Sequence, residues 1–169
     1  GGGLVCARHL HNRGANVTVV ISRPADAFSG VPKHQLEILQ KMKVPMIDNG
    51  FHAISSSLIV DAFIGYSLSG NPRGRTAALI QWANQQSSPI LSLDVPSGLD
   101  ATEGIAYTPT IQADATMTLA LPKTGLFNPS TKPLIGELYL ADISVPLELY
   151  RKMPIEIGNL FTDQPIIKL

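Results

Sequence analysis

The sequence has only one cysteine and no excess of positive or negative charge. The single cysteine, Cys6, excludes an internal disulfide, and its apolar neighbours predict a small buried side chain in a reducing compartment. We therefore expect a cytoplasmic protein. The 13 Lys and Arg residues equal the 13 Asp and Glu residues, so the formal net charge is zero. A groove for nucleic-acid phosphates or an acidic membrane surface usually requires a basic excess, so we expect neither partner.

Long apolar segments are also absent, and no run approaches the roughly 18 residues of a membrane-spanning helix. Hydrophobic residues make up 44% of the 169 residues, which argues against a disordered chain and fits one domain with its own core. The first residues, Gly1 to Gly3, lead straight into a helical pattern and resemble the middle of a glycine-rich turn between a strand and a helix. We therefore expect residues 1–169 to form a single domain whose first strand or helix precedes Gly1.

Helical and strand patterns alternate along the first half of the chain. Apolar residues at helical spacing predict helices at 4–13, 32–43 and 73–86. Short β-branched or apolar runs predict strands at 15–22, 44–47, 57–64, 90–95, 115–121 and 137–145. This alternation favours a doubly wound, mostly parallel sheet with helices on both faces, and the strand-rich end predicts antiparallel edges. We expect the proline-broken segment 151–169 to wrap the surface.

Two acidic residues lie in strongly apolar surroundings. Asp61 follows the apolar run 58–60, and Asp94 follows the run 90–93. A carboxylate in such a strand is costly unless it is paired, and the carboxyl ends of parallel strands form the ligand crevice of an open sheet. We therefore predict that Asp61 and Asp94 lie on adjacent parallel strands and face one pocket. The alternative is that each only caps a turn.

Glycine-rich segments follow the same strand ends. The segment 65–71 and the helix after it offer backbone N–H groups to an anion, and Arg73 and Arg75 would add positive charge. Gly1, Gly2 and Gly3 predict a second phosphate-facing turn. Ordinary strand-to-helix loops have the same composition, so a purely structural role stays open. The members of the first segment are Gly65, Tyr66, Ser67, Leu68, Ser69, Gly70 and Asn71.

Oxygen-bearing side chains around the second acid suit a hard cation. Asp61, Ser97 and backbone carbonyls would form such a site. Ser97 is less favoured as a nucleophile, because it lies outside a Gly-x-Ser-x-Gly turn and no histidine follows His52. The four histidines, His9, His11, His34 and His52, lack metal-ligand spacing and are interpreted as surface residues. Lys123 follows a predicted strand, and its default interpretation is an exposed lysine, with reach into the crevice as the alternative.

Four segments together resemble a known family, the YjeF N-terminal domain family, which includes the NAD(P)H-hydrate epimerases. The resemblance runs from Gly1 to about Tyr150, and the segment 136–143 also fits it. The four segments read Gly-Gly-Gly-Leu-Val-Cys-Ala-Arg-His-Leu at 1–10, Val-Asp-Ala-Phe-Ile-Gly-Tyr-Ser-Leu-Ser-Gly at 60–70, Leu-Asp-Val-Pro-Ser-Gly-Leu-Asp at 93–100 and Leu-Ala-Leu-Pro-Lys-Thr-Gly-Leu at 119–126.

The resemblance implies a Rossmann-like three-layer α/β/α sandwich with a mostly parallel central sheet. It implies an enzyme that interconverts the R and S hydrates of NADH and NADPH, damaged cofactors in which water has added at C6 of the nicotinamide ring. It also implies a potassium ion in the site and a hydrate dehydratase as the functional partner in metabolite repair. A homodimer is the first expectation for a soluble chain.

The resemblance also implies roles for individual residues. Asp61 and Ser97 match the potassium ligands, and the segment 65–71 matches the part that contacts the phosphates and ribose of the hydrate. Asp94 matches a residue beside the reacting ring. Epimerisation breaks and remakes a C–O bond, so a carboxylate that delivers a proton to the departing hydroxyl would be its catalytic residue.

The opening of the chain departs from the family pattern, which usually reads Asn-Asn-Gly-Gly-Asp-Gly. The aspartate of that pattern aligns with Gly2, and the asparagine that completes the potassium shell would precede Gly1. Some members of the family serve as binding or dimerisation modules in RNA-decapping assemblies or in apolipoprotein binding. A non-catalytic scaffold module and a nucleotide sensor that binds without turnover are therefore the alternatives to an epimerase.

Overall fold

The computed structural model of the chain describes residues 1–65, 68–152, 161 and 164–169. Helices and strands alternate up to β4, as the sequence pattern predicts, except that only a short 3-10 turn (Phe51–Ala53) separates β2 from β3. The helices are α1 (Gly2–Asn12), α2 (Gly30–Lys41), α3 (Gly74–Asn84), α4 (Lys132–Ile135) and α5 (Leu147–Tyr150). The strands are β1 (Val19–Val20), β2 (Met46–Ile47), β3 (Ile59–Asp61), β4 (Ile90–Leu93), β5 (Ala115–Leu119), β6 (Glu137–Ala141) and β7 (Ile166–Lys168).

The strands form two hydrogen-bonded groups. One is the parallel pair β1–β2, and the other is a five-stranded sheet in the order β3-β4-β5-β6-β7. Its first four strands are parallel, and β7 pairs with β6 in the antiparallel direction. The mostly parallel sheet and its antiparallel edge are therefore confirmed. The expectation for 151–169 was wrong at β7, which extends the sheet, and residues 153–160, 162 and 163 lie outside the described residues.

Helices cover both faces of the strands. Val19 packs against a cluster that contains Ala7 of α1 and Leu39 of α2. The next residue, Val20, packs against a different cluster that contains Leu79 of α3. Because successive strand residues point to opposite faces, these contacts place α1 and α2 on one side and α3 on the other. The three-layer α/β/α arrangement is thus confirmed, and β1–β2 joins the larger sheet through packing on α3.

The observed strands are shorter than predicted. The predicted strand 15–22 is a strand only at β1, because its partner β2 also has just two paired residues. The predicted strand 57–64 is a strand only at β3. The helices agree with the prediction to within about two residues, which is the usual uncertainty of helix ends. Cys6 is half-buried in α1, and burial raises the pKa of its thiol.

None of the helices in the described part of the chain has the length and apolar character required to cross a membrane.

The glycines at the start of the chain are mainly helical. Helix α1 begins at Gly2, so the predicted turn through Gly1, Gly2 and Gly3 was wrong beyond Gly1. Gly3 lies against the residue that follows β3, and a Cβ atom added to it would sit 2.6 Å from the Ala62 Cβ. Real Cβ atoms essentially never approach so closely, so glycine at this position lets α1 start directly beside the carboxyl end of β3.

A matched pair of substitutions tests this close approach. Gly2→Ala should leave the protein as stable or slightly more stable, because nothing lies within 4 Å of the added Cβ and alanine favours helix. Gly3→Ala should lower the free energy of unfolding by roughly 1–3 kcal/mol relative to Gly2→Ala, as overpacking does. Urea unfolding of both variants measures the difference, and equal stabilities would contradict the packing described here.

Candidate active site

Asp61 ends β3 and is completely buried. Its Oδ2 atom accepts hydrogen bonds from Ser92 Oγ and from the Ser97 backbone N–H, each at 2.8 Å. Its Oδ1 atom accepts a hydrogen bond from Ser97 Oγ at 2.6 Å. Ser92 reaches Asp61 because the two residues are register partners on the parallel strands β3 and β4. The carboxylate therefore ties β3 to both β4 and the turn that follows β4.

The electrostatic environment of Asp61 disfavours its charge. Burial raises the pKa of this carboxyl group, although the hydrogen bonds from Ser97, Ser92 and Phe63 N–H act in the opposite direction. No lysine or arginine forms an ion pair with Asp61 in the described residues. A buried carboxylate of this kind is neutralised either by a proton or by a cation beside it.

Ser97 connects the two turns at the carboxyl ends of β3 and β4. Its Oγ atom accepts a hydrogen bond from Ile64 N–H at 2.9 Å while it donates one to Asp61. The following residue, Gly98, has a φ of +104°, and a Cβ atom there would lie 2.5 Å from the Pro109 carbonyl oxygen. Only glycine fits this position without rearrangement, so the turn after β4 is held firmly beneath the loop at 107–110.

Asp94 directly follows β4 and adopts a left-handed backbone conformation with a φ of 72°. Its N–H donates to the Met117 carbonyl oxygen at 2.8 Å, which anchors the residue to β5. Asp94 Oδ1 accepts hydrogen bonds from Leu119 N–H at 3.1 Å and from Thr118 Oγ1 at 3.4 Å. Aspartate is among the few residue types that tolerate this conformation, which is common at functional sites.

Lys123 forms an ion pair with Asp94. Its ammonium group donates to Asp94 Oδ1, and the side chains of Lys123 and Asp94 are 24% and 20% exposed. The same ammonium group donates to Thr118 Oγ1 at 3.1 Å and to the Leu119 carbonyl oxygen at 3.0 Å. The default interpretation of Lys123 as an exposed surface lysine was therefore wrong. Its ammonium group reaches Asp94, and the alternative that it reaches into the crevice stays a prediction.

The two predicted acids lie on adjacent parallel strands, as expected, but they make separate contacts. Asp61 bonds to groups on β4 and its turn, whereas Asp94 bonds to groups on and after β5. Both lie at what we call the carboxyl edge, the ends of β3, β4 and β5 with the turns that follow them. That their carboxyl groups open into one pocket stays a prediction.

The segment after β3 also lies at the carboxyl edge. Asn71 Oδ1 accepts a hydrogen bond from Thr108 N–H at 3.0 Å, and Gly70 has a φ of +89°. Tyr66 and Ser67 lie outside the described residues. Arg75 turns away from this segment: its Nε donates to the Ile21 carbonyl oxygen at 2.7 Å, and its guanidinium lies 5.4 Å from the centre of the Phe51 ring. Arg73 remains exposed.

A transition-metal site needs several His, Cys, Asp or Glu side chains close together. In the described residues no group of three or more such side chains could hold an ion. His9, His34 and His52 are exposed and His11 is half-buried, which agrees with their interpretation as surface residues. The groups around Asp61 are all oxygen donors: its carboxylate, the Ser97 hydroxyl and the nearby Ile64 carbonyl. One buried carboxylate among neutral oxygens fits a hard monovalent cation.

Ser92 and Thr118 are site residues that the sequence pattern does not single out. Ser92 is buried and binds Asp61, and Thr118 is buried and bonds to both Asp94 and Lys123. The available signal for Ser92 is a hydroxyl inside the apolar run 90–93, since buried polar groups require a partner. Thr118 carries no comparable signal, because threonine is common in ordinary strands.

The chain is similar to proteins of known name. The chain is 40% identical over 153 residues to a protein of Dehalogenimonas lykanthroporepellens named NAD(P)H-hydrate epimerase, covering 90% of this chain and 60% of that protein. It is also 40% identical over 159 residues to a Moorella thermoacetica protein named bifunctional NAD(P)H-hydrate repair enzyme Nnr, covering 88% of this chain and 30% of that protein. The chain therefore spans less than two thirds of the length of these relatives.

A solved structure has the same fold. The crystal structure of yeast YNL200c superposes with a TM-score of 0.79 at 28% sequence identity, covering 99% of this chain and 71% of the yeast chain. The sequence model of the family described as YjeF-related protein N-terminus matches residues 1–125, which include Asp61, Asp94, Ser97 and Lys123. The chain therefore belongs to the family of YjeF-related protein N-termini.

Proposed function

We propose that this chain is an epimerase that interconverts the R and S hydrates of NADH and NADPH. The observation that carries the proposal is Asp94, a partly exposed carboxylate held in a left-handed conformation at the end of strand β4. The names of the relatives from Dehalogenimonas and Moorella supply the substrate class. Ligands of open parallel sheets bind at this edge, so the position of Asp94 suits a residue that meets the reacting ring.

The chemistry needs a group that moves one proton near C6 of the hydrated ring. Inversion at C6 requires that the C6–O bond breaks and re-forms: the hydroxyl takes up a proton and leaves as water, and water adds to the opposite face and gives up a proton. A carboxylate fixed beside the ring performs both transfers. The Lys123 ammonium group pairs with Asp94 and holds it in place for these transfers.

The remainder of the hydrate would extend along the carboxyl edge. The N-terminus of α1, with Gly1, Gly2 and Gly3, lies beside the end of β3, and the segment 65–71 follows the same strand. Backbone N–H groups of a helix N-terminus and of a glycine-containing loop bind phosphates. In this proposal they contact the phosphates and ribose, while the nicotinamide ring lies toward Asp94.

A potassium ion fits the environment of Asp61. The carboxylate is fully buried, has only hydroxyl and N–H partners in the described part of the chain, and lies among oxygen donors. Asp61 and Ser97 would hold the ion, whose positive charge stabilises the ionised carboxylate and the turns it joins. An ion at this place supports the shape of the site, and the proton transfer stays with Asp94.

Thermal unfolding in different salts tests whether potassium binds at Asp61. Binding to the native state raises its stability by mass action, so the melting temperature should rise more with KCl than with an equal concentration of LiCl. General salt effects are similar for both salts and serve as the internal control. The Asp61→Asn variant should respond equally to the two salts. Equal responses of wild type and variant would rule out a specific potassium site at Asp61.

Reactions started separately from pure R hydrate and from pure S hydrate test the enzymatic function against its alternatives. An epimerase brings pure R hydrate and pure S hydrate to the same final ratio, faster than the spontaneous reaction, because a catalyst does not change an equilibrium. A nucleotide sensor would bind either hydrate and leave both rates unchanged. A scaffold module would neither bind nor convert them.

The same proposal names the partners of the protein. The Moorella relative is named as a bifunctional hydrate repair enzyme and is much longer than this chain, which supports a hydrate dehydratase as the functional partner. A homodimer and a cytoplasmic location complete the proposal. Size-exclusion chromatography with light scattering measures the first, and fractionation of the source cells measures the second.

A further inference from the structure

The structure assigns Lys123 as the positioning residue of the site: its ammonium group fixes one oxygen of Asp94 so that the other oxygen is presented to the substrate. This inference rests on the proposed epimerase function. It concerns a residue that lies 29 positions after Asp94 along the chain and meets it only in the folded protein.

All three hydrogens of the Lys123 ammonium group have an acceptor. They are directed to Asp94 Oδ1, to Thr118 Oγ1 and to the Leu119 carbonyl oxygen. An ammonium group has three donors, so this arrangement uses its full capacity. Lys123 therefore holds Asp94 against β5 and has no hydrogen left to donate to a ligand. This arrangement fits a residue that positions Asp94 and does not fit a proton donor to the substrate.

The two oxygens of Asp94 have different surroundings. Oδ1 accepts from Lys123 Nζ, Leu119 N–H and Thr118 Oγ1. Oδ2 accepts no hydrogen bond from any described residue, and it is not among the fully buried unpaired atoms. Saturation of Oδ1 thus leaves Oδ2 as the atom that exchanges the proton with the substrate.

The Asp94 backbone is held in place, but its side chain needs a further contact to fix it. The left-handed backbone conformation persists only where the surrounding structure holds it. The backbone N–H is anchored to Met117, but the side chain can still rotate about χ1 and χ2. Contacts from Lys123 and Thr118 stop this rotation, and a fixed carboxylate transfers protons more effectively than a mobile one.

A comparison of Lys123→Met with Lys123→Arg tests the assignment. Lys123→Met keeps the apolar stem and removes the charge, so kcat should fall on the order of 10²-fold with little change in KM. Lys123→Arg keeps a cationic donor and should recover a large part of the lost kcat. Melting temperatures accompany the kinetics, and Lys123→Gln replaces the methionine variant if that variant does not fold.

A double variant separates positioning from a general structural effect. If Lys123 acts through Asp94, Lys123→Met should cause no further loss in an Asp94→Asn background. Lys168→Met is the matched control, since Lys168 pairs with Glu137 on the surface of β6 and β7, and its kcat should equal that of wild type.

The outcomes distinguish the inference from the function on which it rests. Wild-type turnover together with an unchanged kcat of Lys123→Met would overturn the role of Lys123 and leave the epimerase proposal intact. The role of Lys123 would also be overturned if the kcat of the double variant fell by the product of the two single-variant losses. Absence of turnover in the wild type would overturn the epimerase proposal and the role of Lys123 with it.

Discussion

Asp94→Asn should lower the rate of epimerisation by roughly 10²–10⁴-fold, the range typical of general acid–base residues. Asparagine has nearly the same shape and also tolerates the left-handed conformation that this position requires. The substitution therefore removes the proton-accepting carboxylate and keeps the turn. We expect the melting temperature to change by only a few degrees, because the Asp94 side chain is partly exposed.

Asp142→Asn provides the matched control for this result. Asp142 follows β6, is exposed, and accepts a hydrogen bond from Ser144 N–H that asparagine also accepts. Its activity and melting temperature should equal those of wild type. If Asp94→Asn also turned over at the wild-type rate, Asp94 would be a turn-capping residue and would have no part in the reaction.

Asp61→Ala should cause the largest loss of stability. It leaves Ser92 Oγ, Ser97 Oγ and Ser97 N–H without their buried acceptor, and an unsatisfied buried group costs about 1–3 kcal/mol. We expect a total loss of about 3 kcal/mol or more, which in a protein of this size lowers the melting temperature by roughly 6–12 °C. Calorimetric melting measures it, and a loss below about 1 kcal/mol would contradict the hydrogen-bond network.

The pH dependence of stability provides a second measurement on Asp61. Burial raises the pKa of this carboxyl group in the folded protein above its unfolded value, so the native state binds the proton more tightly. The resulting stability is fully present below the unfolded pKa of about 4 and is lost as pH rises through the folded pKa.

Asp61→Asn has no proton to lose at this position and therefore isolates the effect. In potassium-free buffer the wild type should lose stability relative to Asp61→Asn as the pH rises above about 4. Urea unfolding at several pH values measures the difference, and KCl should reduce it by neutralising the carboxylate. Parallel pH profiles of the two proteins would show that Asp61 does not titrate as its burial requires.

The fold was predictable to the extent that local patterns determine it. The apolar stripes of α2 and α3 and the β-branched residues of β1 indicate their own structure. The short strand β7 was not predictable, because its partner β6 lies about 25 residues earlier in the chain and the segment between them carries prolines. The start of α1 at Gly2 was also missed, since glycine disfavours helices and only the approach to Ala62 explains it.

The candidate site was predictable where a charged group lies in an apolar run. Asp61 and Asp94 stand out for this reason, and the strand order confirms that they lie at the ends of neighbouring strands. Lys123 could not be assigned in the same way, because its partner is set by the pairing of β4 with β5 and by the path of the chain after β5. Contacts between distant segments depend on which strands pair, and the pattern within one strand does not identify its partner.

The most direct measurement of the central claim is the initial rate at which S hydrate appears from pure R hydrate, followed by chiral chromatography in KCl buffer at several protein concentrations. The claim that the carboxyl edge is an epimerase site predicts a rate that exceeds the spontaneous one and rises in proportion to the protein concentration. A rate equal to that in buffer alone at every concentration would contradict it.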